Sequence, residues 1–283
     1  MNNFFENNSK SSIESLKLPL VSDNANKNFT SSAINYAYTP TNSISIPTSI
    51  YDSTTKKTID KTYPVDSTQA KLYSEASKVA VKIEAFSNTG VNGKNNLRES
   101  EGTGFFIDGQ GDIATAYHVF DNYSQIFVSN NIGQTFVASV KSVDPKNDLA
   151  ILHINVLNSP YPNLSTQKLQ SNQNAYTFGY PLGTNNLTLS NGIFKNYSTL
   201  DKIDPQFPLM PGQEANQQLG QVALKTQEGN SGGPVFDGSG NVLGIVDFSN
   251  FKNITEFIPV QKLQNMIQDQ GNYTFNSLLN MHL

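Results

Sequence analysis

Short apolar runs separated by turn residues fill most of the chain after about residue 70. They include "GTGFFI", "DIATAYHVF", "DLAILHINV", "NAYTFGYP" and "NVLGIV", which are rich in Val, Ile, Phe, Tyr and Thr and are bounded by Gly, Asp and Asn. β-branched and aromatic residues in runs of this length favour strands, and closely spaced turn residues are typical of a sandwich or barrel. The pattern therefore predicts an all-β domain built from many short strands.

Two segments have a helical pattern instead. "AKLYSEASKV" predicts a short helix that runs into the strand "AVKIEAF". "VQKLQNMIQDQ" places Val260, Leu263, Met266 and Ile267 on one face of a helix over about 260–269. We expect this second helix to dock its apolar face on the strands before it.

The sequence also contains an internal echo. "FFIDGQGDIATA" and "PVFDGSGNVLGI" each combine a strand, an Asp-Gly turn with a second glycine two positions on, and another strand. Two similar β-barrels in tandem would leave this pattern, although Asp-Gly hairpins are also common by chance.

The beginning of the chain differs in composition. Residues 1–68 are rich in Asn, Ser and Thr, contain scattered prolines and show neither a strand-like nor a helix-like apolar period. Such a segment buries too little apolar surface to offset the entropy cost of ordering it. We predict a largely irregular leader, linker or tail over 1–68, a folded body over 69–268 and a short tail over 269–283.

Composition excludes several classes of function. The 283 residues carry a formal net charge of −4, which has the wrong sign for a nucleic-acid binder. The absence of cysteine excludes disulfides and thiolate metal sites, and three histidines disfavour a histidine-rich metal site. No apolar run approaches the roughly 18 residues of a membrane span, and the N-terminus lacks the basic start and apolar core of a signal peptide.

Candidate chemistry centres on Ser231 in "EGNSGGPV", where glycines lie on both sides of the serine. The segment is either a flexible loop or a place where the backbone comes close to a substrate. A serine hydroxyl needs a base to become nucleophilic, and a third group to orient that base. Of the histidines, His118 at the end of "DIATAYHVF" is the best candidate base, since His153 is in mid-strand and His282 is penultimate.

Two carboxylates in "SVDPKNDLAILHINV" compete for the orienting role. Asp144 precedes a proline and is typical of a turn. Asp148 begins an apolar strand, where it could be half buried beside an imidazole, and is therefore favoured.

A different fold could also use the serine. Residues 229–233 fit the G-x-S-x-G turn of an α/β-hydrolase, a lipase or esterase interpretation. That fold requires a helix after the serine and a histidine downstream. Here two strand-like runs follow the serine and the only downstream histidine is His282, so this interpretation is disfavoured.

Three segments in sequence order resemble the His, Asp and Ser motifs of chymotrypsin-fold serine proteases: "GTGFFIDGQGDIATAYHV", "NDLAIL" and "GNSGGPV". "FGYPLG" followed by "LSNGIF" is similar to the stretch between the last two motifs in bacterial HtrA/Deg proteases. The similarity covers roughly residues 70–263. It implies two tandem six-stranded antiparallel β-barrels, over about 78–160 and 172–260, with a cleft between them and a short C-terminal helix.

The resemblance also implies roles for individual residues. His118 would be the general base and later acid, Asp148 its orienter and Ser231 the nucleophile. The backbone N–H groups of Gly229 and Ser231 would form an oxyanion hole, so the glycines would serve preorganisation. No metal and no organic cofactor would be required.

The sequence departs from the HtrA pattern in two places. About twenty residues follow Leu263, too few for the PDZ domain that usually follows an HtrA protease, so none is predicted. Thr226 resembles the pocket threonine of bacterial glutamyl endopeptidases, but Val246 stands where those enzymes need a histidine. We expect Thr226 and Phe248 to line the primary specificity pocket.

The resulting expectation is a serine endopeptidase that acts on polypeptides through an acyl-enzyme. The alternative is a catalytically silent binding or adhesion module with the same fold. The Asn/Ser/Thr-rich leader suits a tether, which favours an extracellular or cell-surface location in a bacterium, with any export or anchor segment lying outside this sequence. It could equally be an inhibitory pro-segment. No nucleic-acid partner is expected, and no residue pattern demands an oligomer.

Overall fold

The computed structural model describes residues 45–52, 57–88, 97–206, 208–209, 212–224, 226–249 and 253–269. Most of the predicted leader lies outside these residues. So does most of the predicted tail, including His282. Within the last part of the leader, two strands pair as an antiparallel hairpin, β1 (Ser45–Asp52) and β2 (Lys57–Pro64).

The body consists of strands with few helices. The helices are α1 (Ser67–Val79), α2 (Leu200–Ile203) and α3 (260–269). The remaining strands are β3 (Ala80–Asn88), β4 (Leu97–Phe106), β5 (Asp112–Ala116), β6 (Gln125–Ser129), β7 (Thr135–Val137), β8 (Ser139–Asp144), β9 (Leu149–His153), β10 (Asn163–Leu164), β11 (Asn174–Gly179), β12 (Thr188–Thr199), β13 (Gln218–Ala223), β14 (Pro234–Phe236), β15 (Asn241–Ser249) and β16 (Thr255–Pro259).

The first sheet has the strand order β7-β6-β3-β4-β5-β9-β8, with antiparallel pairs throughout. Its two edge strands, β7 and β8, are separated along the chain only by Ala138. One bent segment therefore connects both edges and curls the sheet into a barrel.

The second sheet has the order β10-β15-β14-β11-β12-β13-β16, and β15 also pairs with β16. That extra pairing closes six strands into a barrel, which removes the exposed edges of an open sheet. The short β10 is added outside and is parallel to β15. The predicted two-barrel, all-β fold is confirmed.

The internal echo corresponds to two matching hairpins, β4–β5 in the first barrel and β14–β15 in the second. In the first, Oδ1 of Asp108 accepts hydrogen bonds from the backbone N–H groups two and four residues later, at 2.9 and 3.0 Å. In the second, Oδ1 of Asp237 does the same at 2.8 and 2.9 Å. The repeated sequence pattern therefore encodes the same turn geometry in both halves of the fold.

The apolar core formed by the described residues has three parts. Ile83, Ile113, Val128 and Leu152 belong to the cluster inside the first barrel, and Phe194, Val222, Val235 and Phe257 to that inside the second. The third and largest cluster lies between the barrels and includes Phe105, Ile151, Phe178, Ile258 and the helix residues Leu72 and Leu263. Because both barrels contribute to this third cluster, burial of its side chains fixes the position of one barrel relative to the other.

Both predicted helices are present and pack on the barrels. Leu72, Ala76 and Val79 form the buried face of α1, and Val260, Leu263 and Met266 that of α3. Among the described residues, no helix is long and apolar enough to cross a membrane.

The start of α1 provides a test of local helix energetics. The Asp66 side chain accepts from the Gln69 N–H at 2.8 Å, and the Gln69 side chain accepts from the Asp66 N–H at 3.1 Å. We expect Asp66→Ala to lower the free energy of unfolding by about 1 kcal/mol, because it leaves a helix N–H unpaired. Thermal denaturation would measure this. The neighbouring, exposed Ser67→Ala is the control and should leave stability unchanged or slightly raised.

Candidate active site

The predicted base and its orienting carboxylate lie side by side because β5 pairs with β9. The register aligns Ala116 with Leu149, so the residues next to each strand, Tyr117 and Asp148, meet at the same end of the sheet. The Tyr117 N–H donates to the Asp148 carbonyl oxygen at 3.0 Å. His118 follows in a 3-10 turn, Tyr117–Val119.

Both carboxylate oxygens of Asp148 contact His118. Oδ1 accepts the backbone N–H of His118 at 2.9 Å, and Oδ2 lies 2.6 Å from the ring Nδ1. Asp148 is fully buried, whereas 29% of the His118 side chain is exposed. A two-point contact of this kind fixes the orientation of the ring and leaves its Nε2 available for chemistry.

Two opposing effects determine the pKa of His118. Burial disfavours the charged imidazolium and lowers the pKa, whereas the negative charge of Asp148 and its hydrogen bond to the ring raise it. Together, the charge and the hydrogen bond of Asp148 raise the pKa more than burial lowers it. The pKa of His118 therefore lies above the ordinary 6.5. The pair is therefore able to accept a proton near neutral pH.

Ser231 comes from the second barrel, but its loop is bonded to the first. The Ser231 carbonyl oxygen accepts from the N–H of Thr103, in β4, at 2.8 Å. The next residue, Gly232, has φ +83°, and a Cβ there would lie 2.1 Å from the Thr103 carbonyl oxygen. Glycine is therefore required for the close approach of the two backbones, and the glycine-rich segment is a tightly packed turn.

A hydrogen bond fixes the orientation of the peptide between Glu228 and Gly229. The carbonyl oxygen of Glu228 accepts from the Leu182 N–H at 2.8 Å. In a trans peptide the N–H points away from the C=O, so the Gly229 N–H is directed to the opposite side. Among the described residues, no backbone acceptor pairs with the N–H of Gly229 or of Ser231. These two donors are therefore able to bind a substrate oxygen.

These groups share one cavity of about 530 Å³. His118, Ser231, Gly229 and Leu182 line it together with Ser100 and three acidic residues, Glu99, Glu101 and Glu228. The cavity thus combines the imidazole of His118, the hydroxyl of Ser231 and backbone N–H donors with an acidic rim, which is formed by the three glutamates.

One buried cation lies behind this rim. The Lys82 ammonium pairs with Glu84 at 2.9 Å and with Glu101 at 3.3 Å, and donates to the Gly183 carbonyl oxygen at 3.0 Å. One oxygen each from Glu84, Glu99 and Glu101 lie close enough together to bind a cation, and the Lys82 ammonium already contacts two of these side chains. Burial lowers the pKa of Lys82, but the hydrogen bonds and charges of the two glutamates outweigh it and raise the pKa.

The remaining candidates lie elsewhere. Asp144 caps the 3-10 turn before Asp148, accepting from the Asn147 side chain at 2.6 Å. His153 contacts Asp112 at 2.9 Å instead of the cavity. Thr226 is buried and its hydroxyl lies 3.1 Å from that of Thr255, and Phe248 packs against the core between the barrels. Neither Thr226 nor Phe248 is among the residues that line the cavity.

Sequence reasoning missed several residues of this region, including Glu99, Ser100, Glu101 and Glu228 at the cavity. Leu182 supplies the N–H that orients the Glu228 carbonyl, and it has φ +54°, unusual for a non-glycine residue. Lys82 and Asp247 are charged residues within otherwise apolar strand segments, "VAVKI" and "LGIVDF". A charge at a buried strand position was the signal that could have identified both of them.

Comparisons with known proteins identify the family of this chain. Residues 102–245 match the trypsin-like peptidase domain. The chain is 31% identical over 157 residues to "Probable periplasmic serine endoprotease DegP-like" of Halomonas elongata, covering 55% of this chain and 31% of that protein. It is 30% identical over 176 residues to "Serine protease HTRA2, mitochondrial" of Drosophila willistoni, covering 58% of this chain and 37% of that protein. The chain thus spans about a third of the length of these relatives.

The fold is also found in solved structures. The active form of the Rv3671c protease from M. tuberculosis has a TM-score of 0.59 and 22% sequence identity, over 69% of this chain and 81% of that one. The matched domain and the relatives agree with the fold and motifs described above. The chain belongs to the family of trypsin-like peptidase domains and is an HtrA-like member of the chymotrypsin-fold serine proteases.

Proposed function

We propose that the protein is a serine endopeptidase that cleaves polypeptides with Ser231, His118 and Asp148 as its catalytic triad. The observation that carries the proposal is the two-point contact of Asp148 with His118 at a cavity that Ser231 also lines. A buried carboxylate, an imidazole and a hydroxyl in this arrangement are the parts that acyl transfer requires.

In the first step, His118 Nε2 takes the hydroxyl proton of Ser231 while Oγ attacks the peptide carbonyl carbon. The imidazolium that forms is stabilised by Asp148, whose Oδ2 accepts from Nδ1. The carbonyl oxygen becomes an oxyanion, to which the N–H groups of Gly229 and Ser231 donate. Preorganised donors cost no reorganisation when the charge develops, so they lower the barrier.

The tetrahedral intermediate then collapses. His118 gives its proton to the leaving amine, the C–N bond breaks and an acyl-enzyme ester remains on Ser231. Water enters, His118 removes one of its protons, and attack on the ester releases the acid and restores the Ser231 hydroxyl. No step in this sequence calls for a metal or an organic cofactor.

Recognition of the substrate divides between two regions. Thr226 and Phe248 are proposed to form the primary specificity pocket, since Thr226 precedes the Ser231 loop and Phe248 lies near the end of β15, the second strand after that loop. The carboxylates of Glu99, Glu101 and Glu228 line the cavity itself and give it a negative charge that favours basic peptide segments.

The compartment is proposed to lie outside the cytoplasm. A relative that matches over 55% of this chain carries the name "Probable periplasmic serine endoprotease DegP-like". Unfolded or exported polypeptides in that compartment would be the substrates, and nucleic acid is not expected as a partner, given the net charge of −4.

The first test is labelling with a fluorophosphonate probe, alongside cleavage of unfolded casein. The parent should be labelled and active, and Ser231→Ala and His118→Ala should each lose both properties, because nucleophile and base act as a unit. His153→Ala is the matched control, since His153 contacts Asp112 and not the cavity, and it should stay labelled. Lack of labelling of the parent would contradict the proposal and favour a catalytically silent binding module.

The pH dependence follows from the raised pKa of His118. Only the neutral imidazole acts as a base, so kcat/KM should rise with pH through an apparent pKa above 6.5. Asp148→Asn removes the charge that opposes burial, so the pKa should fall, and kcat should drop by about 10⁴-fold. Steady-state kinetics between about pH 5 and 9 would measure both effects. A flat profile would be inconsistent with His118 as base.

The oxyanion site is tested at Gly229, which has φ +91°. A Cβ there would lie 2.4 Å from the Tyr180 carbonyl oxygen and 3.1 Å from the Leu182 nitrogen. Gly229→Ala should therefore turn the peptide and lower kcat by about 10²–10³-fold with little change in KM. Gly238→Ala is the control, because a Cβ at that glycine meets no atom within 4 Å. Equal kcat for both variants would argue against this oxyanion site.

A further inference from the structure

A second buried carboxyl group lies directly against the His118–Asp148 pair. Asp247, in β15, is 1% exposed, and Asp148 is 0% exposed. One oxygen of each and one ring nitrogen of His118 all lie within 4.8 Å of one another. Two carboxylates this close in a buried site cannot both be ionised at low cost.

The hydrogen-bond partners of the two groups differ. Asp148 receives the backbone N–H of His118 on Oδ1 and faces the ring Nδ1 with Oδ2, as an ionised carboxylate requires. Within the described ranges, no N–H or O–H donates to Oδ2 of Asp247, and no lysine or arginine forms an ion pair with it. Because one buried oxygen of Asp247 has no donor, whereas both oxygens of Asp148 face donors, Asp247 is the group expected to keep the proton.

The ionisable groups that face Asp247 come from three elements. Asp148 precedes β9, His118 lies in the turn after β5, and Glu256, 0% exposed, lies in the neighbouring strand β16. Burial first, then the charge of Asp148, the hydrogen bond shared with it and the charge of Glu256, raise the pKa of Asp247 well above its ordinary value.

We propose that Asp247 keeps its proton at neutral pH and donates it in a hydrogen bond to the Asp148 carboxylate, as a positioning residue for the His118–Asp148 pair. The protonated Asp247 donates a hydrogen bond to Asp148. Because Asp247 is then neutral, no second negative charge lies beside His118. A hydrogen bond from a neutral acid to a carboxylate is short and strong, so it restrains the orientation of the group that in turn orients the imidazole. The catalytic part of this role rests on the proposed function, whereas the protonation state does not.

Stability as a function of pH tests the proton. If Asp247 keeps its proton at neutral pH, its folded-state pKa is above its unfolded value, so the parent must take up a proton on folding, and this costs more as pH rises. Asp247→Asn keeps a donor of similar shape and cannot titrate. Its melting temperature should exceed that of the parent, by a margin that grows by about 3 °C per pH unit between about pH 5 and 8.

The matched control is the same substitution at Asp112. That carboxyl group is also buried, but it accepts from Lys141 and from His153, so it has the partners of an ionised group. Asp112→Asn should lower the melting temperature at neutral pH. If Asp247→Asn behaves like Asp112→Asn, or if its margin over the parent is independent of pH, Asp247 is ionised and the proposal is wrong.

Activity tests the positioning role. Asp247→Leu has similar size and no donor, so its kcat/KM should be about 10- to 100-fold below that of Asp247→Asn. Loss of the donor also concentrates negative charge on Asp148, so the rise of kcat/KM should move to higher pH in the leucine variant and not in the asparagine variant. Loss of stability alone would not move this pH dependence.

The possible results distinguish the positioning role of Asp247 from its protonation and from the proposed function. Equal kcat/KM and equal pH profiles for the two variants would overturn the positioning role. If circular dichroism shows that Asp247→Leu does not fold, Asp247→Ala replaces it in the same comparison. An inactive parent that still shows the pH-dependent stability margin would support the protonated Asp247 and overturn the proposed function.

Discussion

The fully buried carboxylate of Asp148 is the group on which the arrangement of the site depends. A carboxylate removed from water must be matched by donors, and here the donors come from different parts of the fold: the backbone and ring of His118 and, by our proposal, the proton of Asp247. The His118 contacts require the pairing of β5 with β9 in the first barrel, and Asp247 is supplied by β15 in the second. Satisfying one charge therefore brings elements of both barrels to a single point.

A second constraint connects the serine loop with the first barrel. Thr103, fully buried in β4, donates its N–H to Ser231 and its hydroxyl to the Gly229 carbonyl at 2.7 Å, while its hydroxyl accepts from the Tyr180 N–H at 3.0 Å. The residue that fixes the backbone of the second barrel's loop thus belongs to the first barrel. The large apolar cluster between the barrels keeps these polar contacts away from water, where they are stronger.

Charge is distributed unevenly around this site. The buried ammonium of Lys82 pairs with Glu101 at the cavity, and Lys82 also donates to Gly183, next to the Leu182 whose N–H orients the Glu228 carbonyl. The same backbone turn therefore connects the acidic rim with the proposed oxyanion site. A buried cation is stable there because two carboxylates and a carbonyl oxygen replace its water.

The sequence by itself determined the strand-rich fold, the helices α1 and α3 and the motif residues His118, Asp148 and Ser231, because apolar periodicity and glycine-rich turns are local features. The repeated Asp-Gly hairpins even indicated two similar barrels. It did not reveal that Leu182 orients the Glu228 carbonyl, that Lys82 contacts Gly183, or that Asp247 faces Asp148. Only the tertiary structure decided these, since the pKa and the hydrogen bonds of a buried group depend on neighbours that strand pairing brings from distant parts of the chain.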